Sequence, residues 1–117
     1  IVVTSSVMAT QAAPGVTHYA VTKAALQNMA RAIGVELGRK GDFIRVNAVA
    51  PGPVRTPMLA GAMPAGAMDD PTTWADVPLK APCEPEDVAE AIAYLLSGEA
   101  SFMTLSVLTL DGGWSLT

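Results

Sequence analysis

The first six residues, Ile1-Val2-Val3-Thr4-Ser5-Ser6, are β-branched and then short, and turn chemistry follows at Pro14-Gly15. A short apolar run bounded by turn signals is the pattern of a buried strand, expected here over 1–6. From Tyr19 onward the apolar positions Ala20, Val21, Ala24, Ala25, Met29, Ile33 and Leu37 recur at helical spacing, which predicts a helix over 19–38. Gly38-Arg39-Lys40-Gly41 closes it with the basic residues and glycine of a C-terminal cap. A second strand is expected over 43–50 and stops at Pro51-Gly52-Pro53, because proline lacks the ladder donor. Strand, long helix, strand is a βαβ unit, and it requires a parallel pair with a right-handed crossover.

Residues 57–84 break the periodicity. Turn sequences such as Met63-Pro64-Ala65-Gly66-Ala67-Met68 precede Trp74, and the segment is too long for a plain connection. It is expected to be a lid, a binding loop or a mobile segment, or else a flexible insertion that covers core. Pro85-Glu86-Asp87 then opens a helix over 86–96, with proline early and acids in the first turn, where the helix dipole favours them. Its apolar set is Val88, Ala91, Ile92, Leu95 and Leu96. A third strand is expected over 107–110, closed by Asp111-Gly112-Gly113.

Half of the 117 residues are hydrophobic and 15% are charged, a composition that buries a core and makes one domain at most. The net charge is −4 and the Lys and Arg residues are scattered, which argues against nucleic acid and against an anionic membrane surface as partners. No apolar run approaches a membrane span, and no basic region precedes the opening apolar run as in a signal peptide. Cys83 is the single cysteine and has no intrachain partner, which fits a reducing, cytoplasmic compartment. The chain opens on Ile1 inside an expected buried strand, the pattern of a chain cut within a larger fold.

Candidate chemistry lies where the first strand meets the first helix. Tyr19 and Lys23 are i and i+4, so they share one helix face a turn apart. Ser6 stands at the C-terminal end of the preceding strand, where open α/β sheets place their ligands. A free tyrosine ionises near pH 10, and about 4 kcal/mol separates that from pH 7. One cation about 5 Å away, at an effective dielectric near 20, supplies roughly 3 kcal/mol of it. With a serine hydroxyl to hold the oxygen, the trio suits proton transfer to or from an alcohol or carbonyl oxygen. The plainer reading is a half-buried ring beside a lysine whose stem lies along it.

Ser5-Ser6 stands thirteen residues ahead of the Tyr19-x-x-x-Lys23 pair. Asn47-Ala48-Val49-Ala50-Pro51-Gly52, Pro85-Glu86-Asp87-Val88-Ala89 and Asp111-Gly112-Gly113 follow in order. Together these segments resemble the short-chain dehydrogenase/reductases, through the whole chain but only over the C-terminal part of that family's fold. The resemblance implies an α/β fold: the C-terminal part of a doubly wound, Rossmann-like parallel sheet with about three strands and two main helices. It implies one partial domain over 1–117, with residues 57–84 as lid or substrate loop.

By the same resemblance Ser6 would position the substrate oxygen and Tyr19 would be the general acid/base. Lys23 would bind the nicotinamide ribose and favour ionisation of the phenol. Pro51, Gly52, Val54 and Thr56 would line the nicotinamide, the Val54 backbone and the Thr56 hydroxyl meeting its carboxamide. The implied reaction is hydride transfer between NAD or NADP and a small-molecule carbonyl/alcohol pair, with homo-oligomers formed through the helices at 19–38 and 86–96.

The family's phosphate-binding glycine motif, its ribose selector, its Asn-Asn-Ala-Gly segment and its catalytic asparagine all lie upstream of the position matched by Ile1. The cluster Gly34, Gly38 and Gly41 ends a helix instead of opening one, so it does not offer amide donors to a pyrophosphate. Ala81, Cys83 and Leu105 stand where the family usually has arginine, glycine and glycine, and Leu105 is expected to strain a backbone shaped for glycine. Two other readings stand beside the oxidoreductase: a truncated, non-catalytic remnant that keeps only self-association surfaces, and an α/β structural module in which Tyr19 and Lys23 merely pack.

Overall fold

Parallel pairing of the first two strands organises the computed structural model, which describes residues 1–117. Strand β1 (Val2–Thr4) lies beside β2 (Asn47–Pro51), with Val2 opposite Asn47 and Thr4 opposite Val49. Strand β3 (Val107–Leu110) pairs in parallel with the far side of β2, Val49 facing Leu108, to give the order β1-β2-β3. The α/β class and the parallel βαβ unit expected from the sequence are borne out. No helix is long and apolar enough to cross a membrane.

The first two strands are shorter than the pattern predicts. β1 stops at Thr4 because Ser6 turns the chain: its hydroxyl oxygen accepts from the Met8 N–H at 3.2 Å and caps a short 3-10 helix over Val7–Ala9. β2 begins at Asn47 instead of residue 43, because Phe43 sits at φ 53, outside strand geometry, and the chain straightens into the ladder only past it.

Helix α1 (Thr17–Lys40) crosses one face of the sheet and ends on Gly41 in the left-handed conformation, as the glycine and the basic last turn predict. Its buried face, however, is Gln27, Ala30 and Gly34. The apolar set of the sequence pattern is split: Ala20, Ala24 and Leu37 are half-buried, whereas Val21, Met29 and Ile33 are 63%, 45% and 36% exposed. Helical spacing identified the helix but not the small residues that let its backbone approach the sheet closely.

Gly34 shows how close. A Cβ at Gly34 would stand 2.3 Å from Leu105 Cδ2 and 3.2 Å from Val46 Cβ. Leu105 itself holds φ 60, the left-handed strain expected of a leucine at that position. Its amide donates to the Val46 carbonyl at 2.7 Å, which fixes the turn that carries its side chain onto Gly34.

Helix α3 (Pro85–Leu96) covers the other face. The Glu84 side chain accepts from the backbone at Asp87, and the Asp87 carboxylate accepts from the Glu84 N–H at 2.9 Å, a reciprocal cap. Ala91 and Leu95 pack on Val49 with Val88, Ile92, Leu108 and Leu110 around them, whereas Leu96 is exposed. The connection over 57–84 is built from short turns of helix: α2 (Pro57–Gly61) and 3-10 helices over Ala67–Asp69 and Pro71–Trp74. Its second half docks on the C-terminal turn, where the Leu79 N–H donates to the Gly112 carbonyl at 3.3 Å.

The Gly34–Leu105 contact gives a double-mutant prediction. Gly→Ala in a helix normally gains about 1 kcal/mol. Gly34→Ala should forfeit that gain beside Leu105 and recover it in a Leu105→Gly background. Urea unfolding of the four proteins should yield a coupling of about 1 kcal/mol; additive effects would rule the contact out.

Candidate active site

The parallel register brings the C-terminal ends of β1 and β2 level, and α1 starts from that same edge. Ser5 N–H donates to the Val49 carbonyl at 2.8 Å, one step past the ladder, so Ser6 leaves the strand beside Pro51. Two further bonds fasten this corner to α1. The Ser5 hydroxyl donates to the Lys23 carbonyl at 2.8 Å, and the buried Gln27 amide donates to the Ser6 carbonyl at 3.5 Å.

Ser6, Tyr19, Lys23, Pro51, Gly52, Val54 and Thr56 all line one cavity of about 400 Å³. Lys23 Nζ stands 5.6 Å from the centre of the Tyr19 ring, within cation–π range, and donates to the Thr4 carbonyl at 3.1 Å. Ser6 is buried, its oxygen fixed by the Met8 amide. Its own proton goes to the Pro51 carbonyl at 3.4 Å, a bond long enough to give up for a better acceptor.

Thr56 is held in the same economical way. Its hydroxyl donates to the Val54 carbonyl at 3.3 Å and its oxygen caps α2 through the Leu59 amide at 3.3 Å. The expected site residues are therefore brought together without exception.

Other lining residues escaped the sequence reading. Met58, Leu59, Pro85 and Val88 complete the wall opposite Tyr19. Thr56-Pro57 is a helix-start signature, a capping threonine followed by proline at the first helical position. It would have located α2 and with it Met58 and Leu59. Gln27 gave no signal, since a single glutamine in a helix is ordinarily a solvated one.

Gly52 needs its missing Cβ for a different reason. That atom would lie 2.7 Å from Asp111 Cβ, so the turn after β3 presses directly on the cavity floor. Burial works against a charged Asp111, but the amides of Ser115 at 2.7 Å and Gly113 at 2.9 Å outweigh it. They hold the carboxyl below the usual carboxylate range.

A second, larger groove of about 740 Å³ lies between α3 and β3 and contains Cys83 but none of the trio. Burial, and then the neighbouring Asp87 carboxylate, pushes the Cys83 thiol up to about 11, so it stays protonated and unreactive at neutral pH.

A three-strand parallel sheet carrying a hydroxyl, a phenol and an ammonium at its carboxyl edge defines an α/β protein with a candidate active site, and comparison with known proteins gives its family. The family described as enoyl-(acyl carrier protein) reductase matches residues 1–115. The oxidoreductase UcpA of Salmonella typhimurium is 40% identical over 122 residues, covering 99% of this chain and 46% of the relative. Among solved structures, 4-hydroxyisoleucine dehydrogenase complexed with NADH superposes at TM-score 0.81 with 31% identity, over all of this chain and 46% of that one. An actinorhodin polyketide ketoreductase with NADPH superposes at 0.87 with 31% identity, over all of this chain and 47% of the other. The chain belongs to the short-chain dehydrogenase/reductase family of oxidoreductases. It spans less than half the length of these relatives.

The Asp111 turn makes a pH prediction. A carboxyl with a depressed folded pKa contributes stability that is complete above the unfolded value, near 4, and is lost as pH falls through the lower folded value. Asp111→Asn should lower the urea midpoint at pH 7, and the gap to the parent should close as pH falls below about 4. A gap that persists undiminished at low pH would remove the charge from the explanation.

Proposed function

We propose that this chain carries the catalytic half of an NAD- or NADP-dependent oxidoreductase that interconverts a small carbonyl compound and its alcohol. The convergence of Ser6, Tyr19 and Lys23 on one cavity carries the reading. The lining suits the nicotinamide end of a dinucleotide. A wall of Pro51, Gly52 and Val54 offers a flat, mostly apolar surface, and Lys23, Tyr19 and Thr56 offer donors for a ribose and a carboxamide. Lys23 and Tyr19 would hold the ribose, and residues 51–56 the ring. When bound, the cofactor supplies or accepts the hydride.

The residues of the chain manage the oxygen and its proton. In reduction, the Ser6 hydroxyl turns from its long bond with Pro51 to the substrate carbonyl and fixes that oxygen near Tyr19. The Tyr19 hydroxyl donates its proton as negative charge builds on the oxygen, and Lys23 stabilises the phenolate left behind. In oxidation the same phenolate takes the proton from the alcohol. Leu59 and Val88, both half-buried beside the cavity, help keep water from the reacting carbon.

The exposed stripe of α1, Val21, Met29 and Ile33, supports the further reading that copies associate through this helix. The alternative of a non-catalytic remnant draws on the outer edge of β1, which no strand of the chain covers.

A binding experiment separates the readings without requiring turnover. Much of a dinucleotide's affinity comes from amide donors cradling its pyrophosphate, and this chain presents only the nicotinamide-side contacts. The chain alone should therefore show no micromolar affinity for NADH or NADPH in a fluorescence titration. Saturation-transfer NMR with millimolar nicotinamide mononucleotide should still find the ring and ribose protons against the protein. Lys23→Ala should abolish that transfer and Tyr19→Phe should weaken it. Absence of transfer, or indifference to Lys23→Ala, would leave the remnant reading. In the longer polypeptides of this family the corresponding Tyr→Phe change should lower turnover by roughly 10²–10⁴.

A further inference from the structure

The chain contains three ion pairs, and two of them converge on Arg55. Arg55 Nε donates to Glu84 Oε1 at 2.9 Å and Nη1 donates to Asp69 Oδ1 at 2.8 Å. Each arm leads somewhere different. Glu84 is the cap of α3, at the far end of the 57–84 segment. Asp69 ends the 3-10 helix in the middle of that segment, and the preceding carbonyl, Met68, accepts the indole N–H of buried Trp74 at 3.2 Å. Arg55 itself stands between Val54 and Thr56, both on the cavity wall.

The base of the segment is already closed by backbone. Val54 and Cys83 form a parallel bridge, with the Arg55 N–H donating to the Cys83 carbonyl and the Cys83 N–H to the Pro53 carbonyl, both at 2.8 Å. These bonds fix where the segment starts and ends. They do not fix its middle, and for that the guanidinium is the connection to the cavity wall. Asp69 has no other side-chain bond.

We propose that Arg55 is a positioning residue: its guanidinium latches the 57–84 segment to the cavity wall, and releasing it loosens Met58, Leu59 and the Trp74 turn together. Because both pairs are exposed to solvent, the latch is weak and responds to salt. A latch of this kind sets how often the wall opposite Tyr19 opens for exchange of substrate and product. That consequence rests on the reading of the cavity as an active site; the mechanical role of Arg55 does not.

The test uses the purified 117-residue chain, followed by hydrogen exchange and, in a Trp114→Phe background, by Trp74 emission. Arg55→Gln should speed exchange over residues 63–76 by about threefold to tenfold and shift Trp74 emission to the red, with α1 exchange unchanged. Arg55→Lys should restore part of both, since one ammonium meets one carboxylate. Salt at about 1 M should move the parent toward the variant. If Arg55→Gln loosens α1 as well, Asp69→Asn decides the matter, because it cuts the lid arm alone and leaves the α3 cap intact. Unchanged exchange and emission in Asp69→Asn overturn the proposal. Nicotinamide mononucleotide contact measured on the same samples keeps the two ideas apart. A loosened segment without that contact sinks the active-site reading and leaves the latch, and the reverse sinks the latch alone.

Discussion

The site depends on the level at which β1 ends beside β2. One backbone bond, Ser5 N–H to the Val49 carbonyl, carries the ladder to its last rung and releases Ser6 next to Pro51. Side chains alternate along a strand, so a slip of one residue would present Ser5 where Ser6 stands and turn the hydroxyl to the wrong face. The crossover does the rest. A helix returning from the carboxyl edge of β1 has its first turns at that edge, so Tyr19 and Lys23 are delivered there by topology. Ser5 and Gln27 then pin the corner to the helix from both sides.

Close approach between helix and sheet is the second constraint. Ala30 and Gly34 sit against strands that present Val46, Ala48 and Ala50, all buried. Leu105 fills the notch left by Gly34 and holds a left-handed backbone to do so, a conformation that costs a leucine roughly 1–2 kcal/mol. The strain is offset in part by what the side chain covers, since a leucine returns about 1.5–3 kcal/mol when fully enclosed and Leu105, half-buried, returns roughly half of that. With small residues on its most buried positions, α1 carries several larger apolar ones outward: Val21, Met29 and Ile33 are exposed, while Leu26 and Leu37 are half-buried.

The elements and the trio were legible because they follow local rules. Period and turn chemistry located α1, α3 and β3 to within a few residues, and the i, i+4 spacing of Tyr19 and Lys23 needs only a helix to place them on one face. What the sequence concealed depends on contacts between distant positions. The inner face of α1 is chosen by the shape of the sheet, so the apolar set includes both half-buried residues (Ala20, Ala24, Leu37) and exposed ones (Val21, Met29, Ile33) and omits buried Gln27 and Gly34. The start of β2 is set by the left-handed turn at Phe43, which the residue type does not announce. The press of Asp111 on Gly52 joins residues far apart in sequence, and neither residue type announces it. Leu105 was an intermediate case: its strain could be expected from the family pattern, but not the glycine that makes room for it.

These constraints grade the cavity from rigid to loose. Its floor and one wall, Ser6, Pro51 and Gly52, are buried or half-buried, lie at the last rungs of the sheet and are pressed by the Asp111 turn at Gly52. Opening them requires breaking the core of the chain, so their positions persist as long as the fold does. The opposite wall, Met58 and Leu59, rides on one turn of helix capped by Thr56 and steadied through exposed ion pairs, and the free energy holding it is a small fraction of the total. The proposed proton transfer would require atoms held to within a few tenths of an ångström, and Ser6, which would hold the substrate oxygen, lies on the rigid side. Admission of a ligand requires a wall that yields, and that wall is built from the connection least tied to the sheet. The order of stability in the chain thus matches the order of precision the proposed chemistry would demand.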